Sequence, residues 1–167
     1  ICMPNTPQAL DCFYALNRMG AVANMIHPLS AAKEIEFYLN FSSSKAILTL
    51  DQFYDKVASI LPNLQNPTRI LVARIADELP FPLNLIYPHT KGGRHPLPKT
   101  GHTLWTQVLA DASKTPELAD DMGNPADCAA ILYSGGTTGT AKGIMLSHRN
   151  FNALGLQTIA ASGYSSI

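Results

Sequence analysis

The sequence predicts an α/β fold, a mostly parallel sheet flanked by helices, on three observations. Short apolar runs (Ala21 to Ile26, Ala46 to Leu50, Ile70 to Ile75, Cys128 to Tyr133) alternate with longer segments of helical periodicity, the pattern made by β-α-β units. The runs are apolar at successive positions, as strands covered on both faces are. Finally, 167 residues with 46% hydrophobic and 14% charged content make roughly one domain able to bury about two-thirds of its surface. The charged share lies well below the ~25% of an average domain, so much of the chain is expected to be covered.

The elements follow in order. Ile1-Cys2-Met3-Pro4 reads as the tail of a strand without its beginning, and with no starting Met the chain is expected to be a cut piece. Thr6-Pro7 supplies an N-cap and a first-turn proline, apolar residues recur at Leu10, Phe13, Tyr14 and Leu16 to Met19, and Gly20 stands where a left-handed residue ends a helix. After the run Ala21 to Ile26, Ser30 is placed to cap a helix with Ile35, Phe37, Tyr38 and Leu39 on its inner stripe. Ala46 to Leu50 is a buried strand. Asp51 is expected to cap a helix carrying Phe53, Val57, Ile60 and Leu61, and Ile70 to Ile75 is the next strand. Residues 80 to 102 hold five prolines (80, 82, 88, 96, 98), three glycines (92, 93, 101) and three histidines (89, 95, 102). Such a stretch continues neither a helix nor a central strand, so it reads as a surface excursion. A short helix spans Thr103 to Ala112, and a polar connection through Pro125 leads to the strand Cys128 to Tyr133. Gly143 to Leu146 is again strand, and Ser147 caps a helix over Asn150 to Ala161.

Lys+Arg 12 balances Asp+Glu 12, which removes the basic excess that nucleic acid would require. No run approaches the ~20 apolar residues of a membrane span, and no basic segment followed by an apolar core opens the chain; a cytoplasmic protein is expected. Cys2, Cys12 and Cys128 are odd in number and far apart, so they fit neither a disulfide framework nor a paired metal site and read as small hydrophobes. His89, His95 and His102 have neither ligand spacing nor a clustered acid and read as solvated loop.

The most informative residues are Ser134-Gly135-Gly136-Thr137-Thr138-Gly139-Thr140-Ala141-Lys142-Gly143, with four of the eleven glycines, four hydroxyl side chains and a lysine between two strands. Glycines let successive backbone N–H groups point at one spot, hydroxyls add donors, and lysine adds a mobile positive charge, so the expected guest is a polyphosphate. A plain glycine-rich hairpin turn would not need those donors. The Walker A pattern fails, because Ala141 precedes and Gly143 follows Lys142 and the next residues read as strand. A Walker B reading of Lys45 to Asp51 fails on chain order.

Tyr133 to Gly143, followed by Ser147-His148-Arg149-Asn150, resembles the signature of the AMP-binding, adenylate-forming enzymes, which include acyl-CoA synthetases, adenylation domains of peptide synthetases and luciferases. Asn5-Thr6-Pro7-Gln8, Gly20-Ala21-Val22 and Ile35 to Leu39 resemble, in order and spacing, what lies upstream of that signature. The likeness covers nearly the whole chain and is weakest between residues 76 and 125. Gly135 stands where the family usually has serine or threonine, and Ala141 where it has proline; both are small enough to leave phosphate binding intact.

The resemblance implies that residues 1–167 are a fragment of the large N-terminal domain of such an enzyme, with the C-terminal domain, its catalytic lysine, the adenine contacts and the metal-binding glutamate absent. It implies ATP-dependent activation of a carboxylic acid as an acyl-adenylate, then thioester formation with coenzyme A or, alternatively, a carrier-protein thiol. ATP, Mg²⁺ and coenzyme A are the implied cofactors. By the same resemblance Ser134, Gly135, Gly136, Thr137, Thr138, Gly139, Thr140 and Lys142 bind the nucleotide, Lys142 is the catalytic residue, and the Ser134 hydroxyl touches the metal. His148 reads as first-turn helix rather than base. An independent nucleoside-triphosphatase is disfavoured by the failed Walker spacing and by the lack of any acid after Asp127; a non-catalytic anion-binding module is the remaining alternative. A piece cut in this way is expected to turn over no ATP and to self-associate through unpaired strand edges.

Overall fold

The computed structural model describes residues 1–114, 123–134 and 141–163. Its elements are α1 (Pro7–Arg18), β1 (Ala23–Met25), α2 (Ala32–Phe41), β2 (Ala46–Leu50), α3 (Tyr54–Ile60), β3 (Arg69–Ala73), α4 (Leu83–Ile86), β4 (Thr103–Leu104), α5 (Trp105–Ala112), β5 (Cys128–Ser134), β6 (Lys142–Ser147) and α6 (His148–Ser162), with short 3-10 turns between some of them. They fall into two compact units, Ile1–Phe13 with Ile26–Glu117, and Tyr14–Met25 with Leu118–Ile167.

The first unit is built on the all-parallel sheet β2-β3-β4. Cys2 extends it by one parallel bridge to Thr49, which is what remains of the strand expected at Ile1-Cys2-Met3. The strands are apolar on both faces because both faces are covered: Ile47, Leu48, Leu50, Ile70, Val72 and Ala73 are buried, as are Ile35, Tyr38 and Leu39 of α2 and Tyr54, Val57 and Ile60 of α3. Two polar side chains join this core with their hydrogen bonds made. The Thr49 hydroxyl donates to the Cys2 carbonyl at 3.0 Å, and Gln8 Nε2 donates to the Arg74 carbonyl at 3.0 Å.

Several local expectations shift. α2 is capped one residue later than Ser30, with the Ala31 N–H donating to Glu34 Oε2 at 2.9 Å; glutamate at the third helical position reaches back and satisfies that amide. Phe37 is not on the inner stripe but exposed, stacked on Phe41 with centroids 5.7 Å apart. Asp51 does not cap α3. It opens the 3-10 turn Asp51–Phe53 and accepts from the N–H of the next residue, Gln52, at 2.9 Å, while α3 starts at Tyr54. The third strand ends at Ala73, where Arg74 begins a turn closed by its N–H donating to Asp77 Oδ2 at 3.1 Å. Residues 80 to 102 lie mostly exposed, yet they contain the one-turn helix α4 and the 3-10 turn Tyr87–His89.

In the second unit β1 runs parallel to β5, and β5 pairs antiparallel with β6. The glycine and threonine segment therefore joins two strands of a hairpin, and this second sheet, unlike the all-parallel first, holds one parallel and one antiparallel pair. α1 ends as its sequence requires: Gly20 has φ +68° and the Ala21 N–H donates to the Leu16 carbonyl at 2.8 Å. No helix among the described residues is long and apolar enough to cross a membrane.

Candidate functional site

The hairpin fixes the ends of the candidate loop. Ladder pairing runs from Ala130↔Leu146 through Ile131↔Met145, Leu132↔Ile144 and Tyr133↔Gly143 to Ser134↔Lys142. Directly opposed residues of an antiparallel pair project to the same face, with Cβ atoms ~5 Å apart. Ser134, half-buried, and Lys142, exposed, are therefore neighbours on one face at the mouth of the hairpin, where the loop leaves and returns. Two of the expected site residues are thus brought together by the register alone. Gly135, Gly136, Thr137, Thr138, Gly139 and Thr140 lie outside the described residues. A hydroxyl and an ammonium side by side, with no acid anywhere in the sequence after Asp127, make the local field favour an anion.

β6 runs directly into α6. Ser147 Oγ accepts from the Asn150 N–H at 3.3 Å while Asn150 Oδ1 accepts from the Ser147 N–H at 2.9 Å, a reciprocal capping box. The next two free amides are also taken: the His148 N–H donates to the Asp127 carbonyl at 3.2 Å and the Arg149 N–H to the Pro125 carbonyl at 2.8 Å. A helix start whose first N–H groups are bonded to its own chain has none left for phosphate. The turn supplying those carbonyls is self-tied, with Asp127 Oδ2 accepting from the Asn124 N–H at 3.0 Å and Asn124 Oδ1 from the Ala126 N–H at 2.9 Å. Its sequence, Asn124-Pro125-Ala126-Asp127, carries a turn signature.

Within this unit an open cleft of about 450 Å³ is lined by Tyr14, Asn17, Arg18, Gly20, Gly123, Pro125, Asp127, Cys128, His148 and Asn152. Sequence reading did not find it, because its lining comes from three separate stretches with no shared motif. No group of three His, Cys, Asp or Glu placed to hold a metal ion occurs among the described residues. The three cysteines are free; burial pushes the Cys2 and Cys12 thiols above the ordinary range. In the first unit, the Asp51 carboxyl is likewise raised by burial, against the opposing pull of the Gln52 N–H and the charges of His95 and Arg74.

The model of the family described as AMP-binding enzyme matches residues 1–165. A long-chain-fatty-acid–CoA ligase of Bacillus subtilis is 31% identical over 156 residues, covering 92% of this chain and 28% of the relative. A 4-coumarate–CoA ligase 1 of Arabidopsis thaliana is 27% identical over 150 residues, 89% of this chain and 23% of that protein. Among solved structures, a long-chain-fatty-acid–CoA ligase from Archaeoglobus fulgidus superposes with a TM-score of 0.71 at 26% identity, over 98% of this chain and 27% of its own. The chain spans about a quarter of the length of these proteins.

Proposed function

Since this chain belongs to the AMP-binding enzyme family, we propose that the hairpin loop between β5 and β6 is the phosphate clamp of an AMP-forming acid–thiol ligase. The whole protein would activate a carboxylic acid with ATP as an acyl-adenylate and then pass the acyl group to coenzyme A. The observation that supports this best is the Ser134↔Lys142 pair at the mouth of the glycine and threonine segment. As the carboxylate oxygen attacks the α-phosphorus and the bond to the bridging oxygen breaks, negative charge grows on the departing pyrophosphate. Lys142, exposed and free to extend, neutralises it, while Thr137, Thr138, Thr140 and the backbone N–H groups from Gly135 to Gly139 donate to its oxygens. A clamp of this kind acts by having its donors in place before the charge appears.

Mg²⁺ in this reading arrives with the nucleotide. Ser134 offers one hydroxyl, and no metal-binding cluster stands among the described residues, a donor set suited to an ion that takes most of its oxygen ligands from phosphates and water. Bound there, the ion would supply positive charge to the phosphate oxygens, and the Ser134 hydroxyl would help to hold it. A cytoplasmic enzyme is the companion proposal.

The test uses the longer protein of which this sequence forms part. Labelled pyrophosphate is expected to exchange into ATP only when a carboxylate is supplied; exchange without one, or hydrolysis to ADP, removes the ligase reading. In the same protein Lys142→Ala is expected to lose a charge-assisted contact of ~1.5 to 3 kcal/mol, roughly tenfold to a hundredfold in adenylation, with folding unchanged. Unaltered adenylation would strip Lys142 of its role. The 167-residue chain by itself is expected to release no AMP and to scatter light as an associated species; appreciable AMP release by a monomer would refute the fragment assignment.

A further inference from the structure

The even balance of 12 basic and 12 acidic residues is an average over the chain. Between Glu78 and Asp111 there is no acid at all, while Lys91, Arg94 and Lys99 fall there together with His89, His95 and His102. The same stretch carries the densest exposed apolar cluster of the first unit: within six residues Phe81 is 79% exposed, Leu85 61%, Ile86 54% and Leu83 51%. Single exposed hydrophobes are ordinary, but four so close together, with the acids Asp77 and Glu78 on the preceding side and Lys91 and Arg94 on the following one, mark a surface that meets something.

The local geometry suits an apolar phase at the tip and an anionic one at the shoulder. The N–H groups of Asn84, Leu85 and Ile86 donate to the Pro80 and Pro82 carbonyls at 3.0–3.3 Å, so the amides of the apolar turn need no water. The basic turn is then folded back on Tyr87. Its hydroxyl donates to the Gly92 carbonyl at 3.1 Å, and its carbonyl accepts from the Thr90 hydroxyl at 2.7 Å. Gly93 sits so close that a side chain there would run into the Tyr87 backbone. Exposed Lys91 and Arg94 flank these two glycines and are thereby held beside Ile86 and Tyr87 rather than at the end of a loose loop.

An acidic protein surface would satisfy the cations but would strand the apolar tip; an anionic lipid surface satisfies both, with apolar side chains at the boundary of headgroups and acyl chains and cations against phosphates. We infer that residues 81–94 form a peripheral anchor that places Phe81, Leu85 and Ile86 in the headgroup layer of an anionic membrane, with Lys91 and Arg94 against the lipid phosphates. None of these residues belongs to the β5–β6 hairpin, so the anchor stands or falls apart from the ligase reading.

Flotation with vesicles of the longer protein of which this sequence forms part tests it. Binding is expected to vesicles of phosphatidylcholine mixed with phosphatidylglycerol, and to be much weaker with phosphatidylcholine alone. Lys91→Gln and Arg94→Gln are each expected to weaken it about fivefold, and Phe81→Ser with Leu85→Ser roughly tenfold or more. All four side chains are exposed, so the far-ultraviolet circular dichroism and the tryptophan emission should be those of the unaltered protein. Absence of binding to the anionic vesicles, or binding indifferent to phosphatidylglycerol and to these variants, overturns the anchor. So does capture by polyglutamate without capture by vesicles, which would make the partner an acidic polypeptide. Self-association abolished by Phe81→Ser and Leu85→Ser without any vesicle binding would assign the patch to a second copy of the chain and equally overturn it.

Discussion

The two three-stranded sheets of this chain are made of similar residues and treat them differently. In β2-β3-β4, Ile47, Leu50 and Val72 are at most 1% exposed. In β1-β5-β6 only Ala23 of β1 and the first part of β5, at Ala129 and Ala130, are buried so deeply, while Leu132 is 40%, Ile144 46% and Met145 68% exposed. β6 has no further strand on its outer side among the described residues, and no residue of α6 is buried. The first sheet is a finished core; the second is a hairpin whose apolar residues stand beside the candidate loop with little over them. Strand apolarity therefore tells where a strand is, but not whether the same stretch of chain covers it.

The largest difference between the sheets should appear on truncating one isoleucine in each. Ile47 of β2 is 1% exposed, so Ile47→Ala removes buried methylenes and leaves a cavity, at a cost of about 2 to 5 kcal/mol. Ile144→Ala, at a half-exposed site, should cost about 1 kcal/mol or less. Amide exchange, read on the strands of each unit separately, measures both. Equal costs would mean that the second sheet is as well covered as the first, and the contrast would be lost.

A smaller effect should follow at the join of β6 and α6. A helix with no buried side chain draws its stability from its ends and its own ladder rather than from packing. Ser147→Ala removes the acceptor of the Asn150 N–H, worth ~1 kcal/mol, and the effect should appear as faster exchange throughout α6. Ser147→Asp should keep the cap. If exchange in α6 were unmoved by Ser147→Ala, contacts other than the cap would be holding the helix.

Much of this was legible in the sequence, for identifiable reasons. Thr6-Pro7 and Gly20 bracket α1 because caps are local chemistry, and Ala46 to Leu50 was found to the residue because five successive apolar or small side chains between polar flanks admit little else. Ser134 and Lys142 were singled out by residue type, while their pairing across the hairpin depends on register, which composition does not disclose. The misses at Ser30 and Asp51 have a common cause. Each helix start was settled by a bond that periodicity does not disclose, the Ala31 N–H donating to the Glu34 carboxylate in one case and the Gln52 N–H to Asp51 in the other. Phe37 was misplaced because helical periodicity selects a face without saying how wide the covered stripe is. The cleft beside His148 was invisible because Arg18, Asp127 and His148 meet only in the folded unit.

The smallest expected effect on stability concerns the edge of the first sheet, at Cys2. Its side chain is fully buried, its N–H donates to the Leu48 carbonyl at 2.8 Å, and its carbonyl accepts from Thr49. Burial raises the thiol above the ordinary range, opposed by the positive charge of Lys56. The fold thus favours the neutral thiol over the thiolate. A group whose folded value is raised contributes its full share below the value of the unfolded chain, about 8.5 for cysteine, and loses that share as the pH climbs through the folded value. Stability carried by this edge should hold at neutral pH and decline on the alkaline side. Because only the thiolate reacts, Cys2 should also resist a maleimide at neutral pH, becoming modified no faster than the first sheet opens, while half-buried Cys128 in the second reacts earlier. Cys2→Ala should abolish the alkaline decline that this thiol contributes. Mass spectrometry of partly labelled protein gives the order of reaction directly, and Cys2 labelled first at neutral pH would show that the edge of the first sheet is as open as the hairpin, reversing the ranking of the two sheets.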